Sequence, residues 1–481
     1  MDKRLQSRLR ARTKVIATVG PACETPEQLT SLVLAGADIF RLNMAHGSTA
    51  EQNQRLAAIR QVSADLERPI AVLVDLAGPK IRLGQLPDDM IDCAAGGEFR
   101  FVRGTQPSTK TELTSTYKPL VDELHVNDTI MLADGTVSMT VVEKTRDFAR
   151  CRVVQPGVIR SRQGLNLPGA KLSAPAMDVD DRENAIWAAE NEIDFVGLSF
   201  VRDPRDVREL KELLRLRGSR TRVIAKIEKQ EALDQLEKII AESDGIMVAR
   251  GDLGVEIDVA QMPVVQKRIV STCHEYQKPV IIATQMLDSM QHSRRPTRAE
   301  VTDVANAILD GGDACMLSGE TAIGLYPREA VDMMNQVALA TEELFRKNVP
   351  QPPGAFRAEG LHPITSAVVY GAGHIAAEID ARLIAVASHS GATALALSKQ
   401  RNYVPTVGVS DSPQTLRHMC LYWGVIPLGG IPTTSNEQML DAVSAWGLAD
   451  GAIEAGDHIL LIAGTGLGRG SHDQVVVHRV P

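Results

Sequence analysis

Short β-branched apolar runs alternate along this chain with segments carrying hydrophobic residues at helical spacing. Lys14–Gly20 predicts a strand and Pro26–Ala35 a helix; Asp38–Ala45 a strand and Ala50–Leu66 a helix; Ile70–Ala77 a third strand. From Leu83 to Leu172 the beat stops. It resumes with a helix at Asp181–Asn191, a strand at Asp194–Phe200 and a charged helix at Asp203–Arg217. Arg222–Glu228 and Gly245–Arg250 read as strands flanking a helix at Glu231–Ser243, with a Gly-Asp-Leu-Gly loop after the second. Helices at Ala260–Tyr276 and Arg298–Leu309 lead into strands at Pro279–Met286 and Asp313–Ser318, and Pro327–Phe345 closes with a long amphipathic helix.

Eight such units are the count for a closed (β/α)8 barrel, and continuous apolar strands suit a parallel sheet covered on both faces. The polar residues of these strands gather at their C-terminal ends: Arg41, Asn43, Asp75, Lys226, Glu228, Asp252, Thr284 and Ser318. Barrel enzymes keep their chemistry there. Lys226 and Glu228 are two apart and share one face of a strand; Asp252 follows the next strand. One ammonium and two carboxylates would converge. Two hard oxygen ligands are what Mg²⁺ needs from protein when substrate and water supply the rest, and the lysine could hold an anion. A buried ion pair that merely joins two strands would leave the same pattern.

The interruption has a different texture, with short alternating runs and an Asp134-Gly135 turn signal. It predicts a small all-β domain, a β-barrel inserted at 83–172 between the barrel segments 13–82 and 173–347. Above a barrel mouth it could close as a lid or be a surface decoration. A polar, Pro-rich linker spans 348–362, and an open α/β domain follows at 363–481, with strands at Arg382–Ala387, Pro405–Val409, Gly424–Leu428, His458–Ala463 and Gln474–Val480. Its first strand runs into Ser388, His389, Ser390, Gly391 and Thr393 at a helix start, and Gly464–Ser471 carries Arg469. Hydroxyls and backbone N–H groups at such a start can hold an effector's phosphate; an ordinary cap and an ordinary loop would look the same.

With 481 residues, roughly two to four domains are expected. The 44% hydrophobic and 23% charged content is that of a soluble globular protein, and 4% aromatics make the core aliphatic. A net charge of −8 argues against a general nucleic-acid binder. Six scattered cysteines without a CxxC pair suit a reducing compartment and offer no zinc site, and no apolar run is long enough to span a membrane. The N-terminal segment 1–12 is basic without an apolar region, so it is not a secretory signal; a surface helix is preferred over an Arg-rich organelle presequence.

The motifs Thr13–Cys23 (TKVIATVGPAC), Arg41–Gly47 (RLNMAHG), Asp75–Arg82 (DLAGPKIR), Leu165–Lys171 (LNLPGAK), Ala225–Ala232 (AKIEKQEA), Ala249–Glu256 (ARGDLGVE), Ala283–Met290 (ATQMLDSM), Arg295–Gly311 and Cys315–Pro327 resemble pyruvate kinase over nearly the whole chain. The resemblance implies phosphoryl transfer from phosphoenolpyruvate to ADP, giving pyruvate and ATP. It implies Mg²⁺, or Mn²⁺, on Glu228 and Asp252, with Lys226 stabilising the phosphoryl in flight and Arg41 gripping it. Backbone N–H groups of Gly251 and Asp252, with Thr284, would take the substrate carboxylate, and Asn43, His46 and Arg82 would face the nucleotide. Thr284 and Ser318 are both candidates to relay a proton to the enolate. A homotetramer in the cytoplasm, activated by a phosphorylated metabolite, completes the implied picture.

Three positions depart from the family's K⁺ site. Ala45 and Leu76 replace a serine and a threonine, and Lys80 stands in place of a glutamate. An ammonium at Lys80 can supply the charge that the ion brings, so K⁺ independence is expected. Asp180 replaces the family's nucleotide lysine, so that role is not carried over. A phosphoenolpyruvate or pyruvate lyase or aldolase on the same barrel is the rival enzyme class, and a catalytically dead regulatory protein the rival outside it.

Overall fold

The computed structural model describes residues 10–79, 81–104, 107, 109–133, 135–170, 172–347, 361–464 and 473–481. Lys80, the hairpin residue Asp134, Arg469 with its glycine-rich loop, most of the linker and the first nine residues lie outside them.

Eight parallel strands close into a barrel: β1 (Lys14–Thr18), β2 (Ile39–Asn43), β3 (Ala71–Asp75), β4 (Phe195–Leu198), β5 (Arg222–Ile227), β6 (Gly245–Ala249), β7 (Val280–Ala283) and β8 (Ala314–Leu317). Pairing of Lys14 with Ala314 shuts the ring. Successive side chains point to opposite faces. Ile16, Leu73, Ile224, Met247 and Ile281 fill the interior, while Val15, Val72, Val223, Val248 and Ile282 pack against the helices. Thr18, Arg41, Asp75 and Lys226 continue the inward-facing rows of Ile16, Ile39, Leu73 and Ile224, and Glu228 follows Lys226. The barrel mouth is therefore the polar top layer of an apolar stack.

Helix starts are fixed locally. Reciprocal caps by Thr25 with Gln28, Ser48 with Glu51, Asp178 with Asp181, Asp203 with Asp206 and Thr297 with Glu300 satisfy N–H groups that have no partner inside the helix. Two segments differ from the sequence reading. The helix expected over 231–243 is broken at Gln235 into Gln230–Asp234 and Leu236–Glu242, and both halves bury their apolar residues in one core. The strand expected over Gly245–Arg250 ends at Ala249, and the Gly-Asp-Leu-Gly segment expected as a loop lies in a helix, Arg250–Glu256. Tertiary anchoring of its first residues, described below, outweighs the low helix propensity of Gly251 and Gly254.

The opposite end of the barrel follows a fourfold rule. Asp38, Asp194, Asp244 and Asp313 immediately precede β2, β4, β6 and β8. Each accepts a backbone N–H from the neighbouring odd strand: Val15 at 3.0 Å, Val72 at 2.9 Å, Val223 at 2.8 Å and Val280 at 2.7 Å. The strand starts are tied in pairs.

The segment after β3 forms a six-stranded sheet and a two-stranded one around a single core that includes Phe101, Leu132 and Met139. Gly135, at φ +83°, comes up against Val255 of the 250–256 helix. The C-terminal domain is a five-stranded sheet, four strands parallel and the last, Gln474–Arg479, antiparallel. It docks under the barrel. Lys14 Nζ donates to the Val425 carbonyl at 2.8 Å, Arg417 Nε to Asp194 at 2.6 Å, and Lys399 Nζ to Asp313 at 2.6 Å.

Candidate active site

A cavity of about 110 Å³ opens at the C-terminal ends of the barrel strands. Its walls include Arg41, Asn43, Asp75, Lys226, Glu228, Asp252, Thr284 and Ser318. The structure thus brings together every strand-tip residue singled out from the sequence.

Lys226 stands at the centre. Its Nζ lies 2.9 Å from Glu228 Oε1 and 3.2 Å from Asp75 Oδ1, and it donates to Ser199 Oγ at 2.7 Å. Ser199 Oγ in turn donates to the Leu76 carbonyl at 2.6 Å. Asp75 also takes Arg41, through Nε at 2.8 Å and Nη2 at 2.6 Å, while Arg41 Nη1 reaches Thr18 Oγ1 at 3.1 Å. Glu228 Oε2 accepts the Phe200 N–H at 2.7 Å. Two fixed cations therefore flank one buried aspartate.

The charges follow from this geometry. Burial disfavours the Lys226 ammonium, but Asp75 and Glu228 outweigh it and raise its pKa. Burial would raise Asp75; Lys226 and Arg41 more than reverse that and hold it below the usual carboxylate range. Glu228 is pushed up by burial, which Lys226 opposes and the like charge of Asp252 reinforces. Glu228 and Asp252 are thus two oxygen donors that repel one another, a pair that a bound divalent cation relieves. Among the described residues no group of three or more His, Cys, Asp and Glu is placed to hold a metal ion.

Thr284 and Gln285 follow β7 with φ of +71° and +53°. Thr284 Oγ1 accepts the Gly251 N–H at 2.8 Å. Ser318 donates its backbone N–H to Glu320 Oε2 at 2.7 Å, and Glu320 is buried, with its carboxyl pushed up by that burial. Sequence reading missed Ser199 and Glu320. Ser199 lies just past β4, beside the strand of Lys226, and that adjacency is the signal that could have found it.

His46 and Arg82 do not line the cavity. His46 is exposed in the turn after β2, and Arg82 Nη1 donates to the Arg162 carbonyl of the inserted segment at 3.1 Å. In the C-terminal domain Ser388 Oγ accepts the Gly391 N–H at 3.1 Å, and Gly391 sits at φ +82° before the Ala392–Lys399 helix. His389 Nδ1 is 2.7 Å from Asp411, Ser390 Oγ accepts the Ala392 N–H at 3.4 Å, and Thr393 is buried. The Ser390 carbonyl accepts Arg222 Nη2 at 2.8 Å, joining this loop to the first residue of β5.

A (β/α)8 barrel with cations and acids arrayed on its strand tips defines an enzyme acting on a small anion. Family models place it further: pyruvate kinase, barrel domain, matches residues 10–331, and pyruvate kinase, alpha/beta domain, residues 366–478. A pyruvate kinase of Staphylococcus aureus (strain MRSA252) is 37% identical over 474 residues, 98% of this chain and 80% of the relative. That of strain USA300 is 36% identical over the same shares. A crystal structure of a pyruvate kinase from Cryptosporidium parvum superposes with a TM-score of 0.90 at 32% identity, covering 100% of this chain and 98% of that one. The chain belongs to the pyruvate kinase family, and it is an enzyme with pyruvate kinase activity. Membership implies phosphoenolpyruvate and ADP as substrates. No described helix is long and apolar enough to cross a membrane.

Proposed function

We propose that the cavity at the strand tips takes phosphoenolpyruvate and that Lys226 and Arg41 carry the phosphoryl group towards ADP. The supporting observation is the pair of cations locked on Asp75. Phosphoryl transfer has a loose transition state with charge spread over the equatorial oxygens, so catalysis is positioned positive charge. Cations already held by a buried carboxylate need no reorganisation during the reaction. Lys226 acts as a fixed cation; a Schiff-base role needs a neutral amine, which its two acids disfavour.

Gly251 and Asp252 N–H groups with Thr284 bind the substrate carboxylate, Asn43, His46 and Arg82 serve the nucleotide, and Thr284 or Ser318 relays the proton. Glu228 and Asp252 hold Mg²⁺, or Mn²⁺, which when bound adds positive charge beside the transferring group. K⁺ is not required. Asp75 is engaged by Arg41 and Lys226, Ala45 and Leu76 border the cavity without hydroxyls, and the Lys80 ammonium supplies the missing charge. Ser388, His389, Ser390, Thr393 and Arg469 form the site of a phosphorylated effector. The same reading takes residues 13–82 with 173–347 as the catalytic barrel, 83–172 as the lid, 363–481 as the effector domain, a homotetramer as the assembly and the cytoplasm as the compartment.

Pyruvate formation from phosphoenolpyruvate and ADP, assayed with Mg²⁺ in K⁺-free buffer, tests this. Full turnover is expected, with Glu228→Gln and Asp252→Asn each raising the Mg²⁺ needed by at least ~10-fold, the size of effect seen even for outer-shell changes. Near-zero turnover rescued by KCl would remove the K⁺ claim, and unchanged Mg²⁺ dependence in both variants would remove the metal assignment.

A further inference from the structure

Thr284 is β-branched and still adopts φ +71°, and Gln285 follows at φ +53°. Left-handed backbone is unusual for a non-glycine residue and a true outlier for a β-branched one. Two in succession persist only where the surroundings over-determine them. One side chain spans the turn. Arg250 Nη2 donates to the Thr284 carbonyl at 2.9 Å, with the Gln285 carbonyl at 3.4 Å and Met286 Sδ at 2.9 Å. Its Nη1 is held by Asp303, 2.8 Å from Oδ1 and 2.7 Å from Oδ2, on the 298–309 helix. The guanidinium is largely buried. Arg250 also opens the short helix that carries Gly251 and Asp252, and Gly251 N–H is itself bonded to Thr284 Oγ1.

We propose that Arg250, anchored by Asp303, is a positioning residue that locks the Thr284–Gln285 turn in its left-handed form and so fixes the Thr284 hydroxyl relative to Gly251 and Asp252. The guanidinium does not line the cavity. It acts by making the tip of β7 and the start of the 250–256 helix one rigid piece. Only a planar fork can meet the turn carbonyls and the Asp303 carboxylate together, so lysine is a poor substitute. The inference rests on the reading that Thr284 serves the reaction.

The experiment is steady-state kinetics of the full chain in four backgrounds, with folding followed by circular dichroism. Thr284→Val tests the underlying reading: a kcat within twofold of the parent removes Thr284 from the reaction. Arg250→Met is expected to lower kcat about 10- to 100-fold, as a displacement of roughly an ångström at a reacting group does. Gln285→Gly alone should leave kcat unchanged, because Gln285 is exposed and off the cavity. In the Arg250→Met/Gln285→Gly double variant, glycine accepts the left-handed backbone without steric cost and should restore at least about a third of the lost kcat. A merely structural role for Arg250 predicts no such rescue. If Arg250→Met does not fold, Asp303→Asn replaces it, with a smaller loss and the same rescue expected. A folded Arg250→Met or Asp303→Asn enzyme with parental kcat, or a deficit untouched by Gln285→Gly, overturns the proposal.

Discussion

Lys226 Nζ stands 3.2 Å from Asp75 Oδ1, an ammonium on β5 meeting a carboxylate on β3 across the barrel mouth. Asp75 bonds Arg41 as well, so one buried acid orients both cations of the cavity. Asp75→Asn should therefore release two groups at once. The expected result is a loss in kcat/KM for phosphoenolpyruvate of about 100-fold or more, since small displacements of positioned charges have such effects. Steady-state kinetics check it, and a change under tenfold would show that Arg41 and Lys226 hold their places without Asp75.

Lys226→Met removes the central charge but keeps most of the side-chain volume. By analogy with the loss of a single charge-stabilising donor, kcat should fall ~10²–10³-fold, about 2.7–4 kcal/mol of barrier. Borohydride added with pyruvate should trap no adduct on the parent protein. A reduced adduct at Lys226 found by mass spectrometry would return the site to aldolase-like chemistry.

Two histidines buried where the C-terminal domain meets the barrel give an acid limb to stability. Burial, joined by Lys399 and Arg401, lowers His274 to about 3. Burial, joined by Arg222, lowers His418 to about 3. Each folded pKa lies below the unfolded value, so the unfolded chain binds more protons between the two. Stability is intact above the unfolded pKa and falls as pH drops from about 6.5 towards about 3. The slope is about 1.4 kcal/mol per pH unit for each histidine. Urea midpoints measured at about pH 7 and about pH 5.5 should differ less in His274→Gln and His418→Gln than in the parent. Identical slopes in all three proteins would assign the acid limb elsewhere.

Lys399 and Asp313 are 2.6 Å apart and neither side chain reaches solvent, at 0% and 1% exposure. Lys399→Met should destabilise the docked domain by about 3 kcal/mol, the lower end for a broken buried pair, because Arg401 stays 3.2 Å from the same acid. A thermal shift well below that of a core truncation would mean that Arg401 alone neutralises Asp313.

The architecture was legible because period and strand-tip polarity are local properties of the chain. Lys226 and Glu228 share a face by spacing alone, and their convergence needed no structure. The Asp75–Lys226 contact was not legible, because it depends on two strands separated by β4 and by the whole inserted segment. The inward parity of Leu73–Asp75 and Ile224–Lys226 was the available clue. The 250–256 helix was hidden by Gly251 and Gly254, and the anchoring of Arg250 and of the Gly251 N–H accounts for it. The four aspartates before the even strands are plain in the sequence once the ring is known. Read strand by strand, Asp38, Asp194 and Asp313 look like ordinary strand starts.

Those four aspartates bear on how far the molecule can be taken apart. Arg68 and Lys211, which face Asp38 and Asp244, belong to the barrel, as does Arg60 beside Asp194, whereas Arg417 at Asp194 and Lys399 and Arg401 at Asp313 belong to the C-terminal domain. A barrel excised after its last helix would keep Arg60 beside Asp194 but would expose Asp313 on its underside without Lys399 and Arg401. Transplanting it onto another partner would call for asparagine at 313, which keeps an oxygen for the Val280 N–H and removes the charge. The barrel thus leans on its neighbour for charge balance at the end away from its cavity.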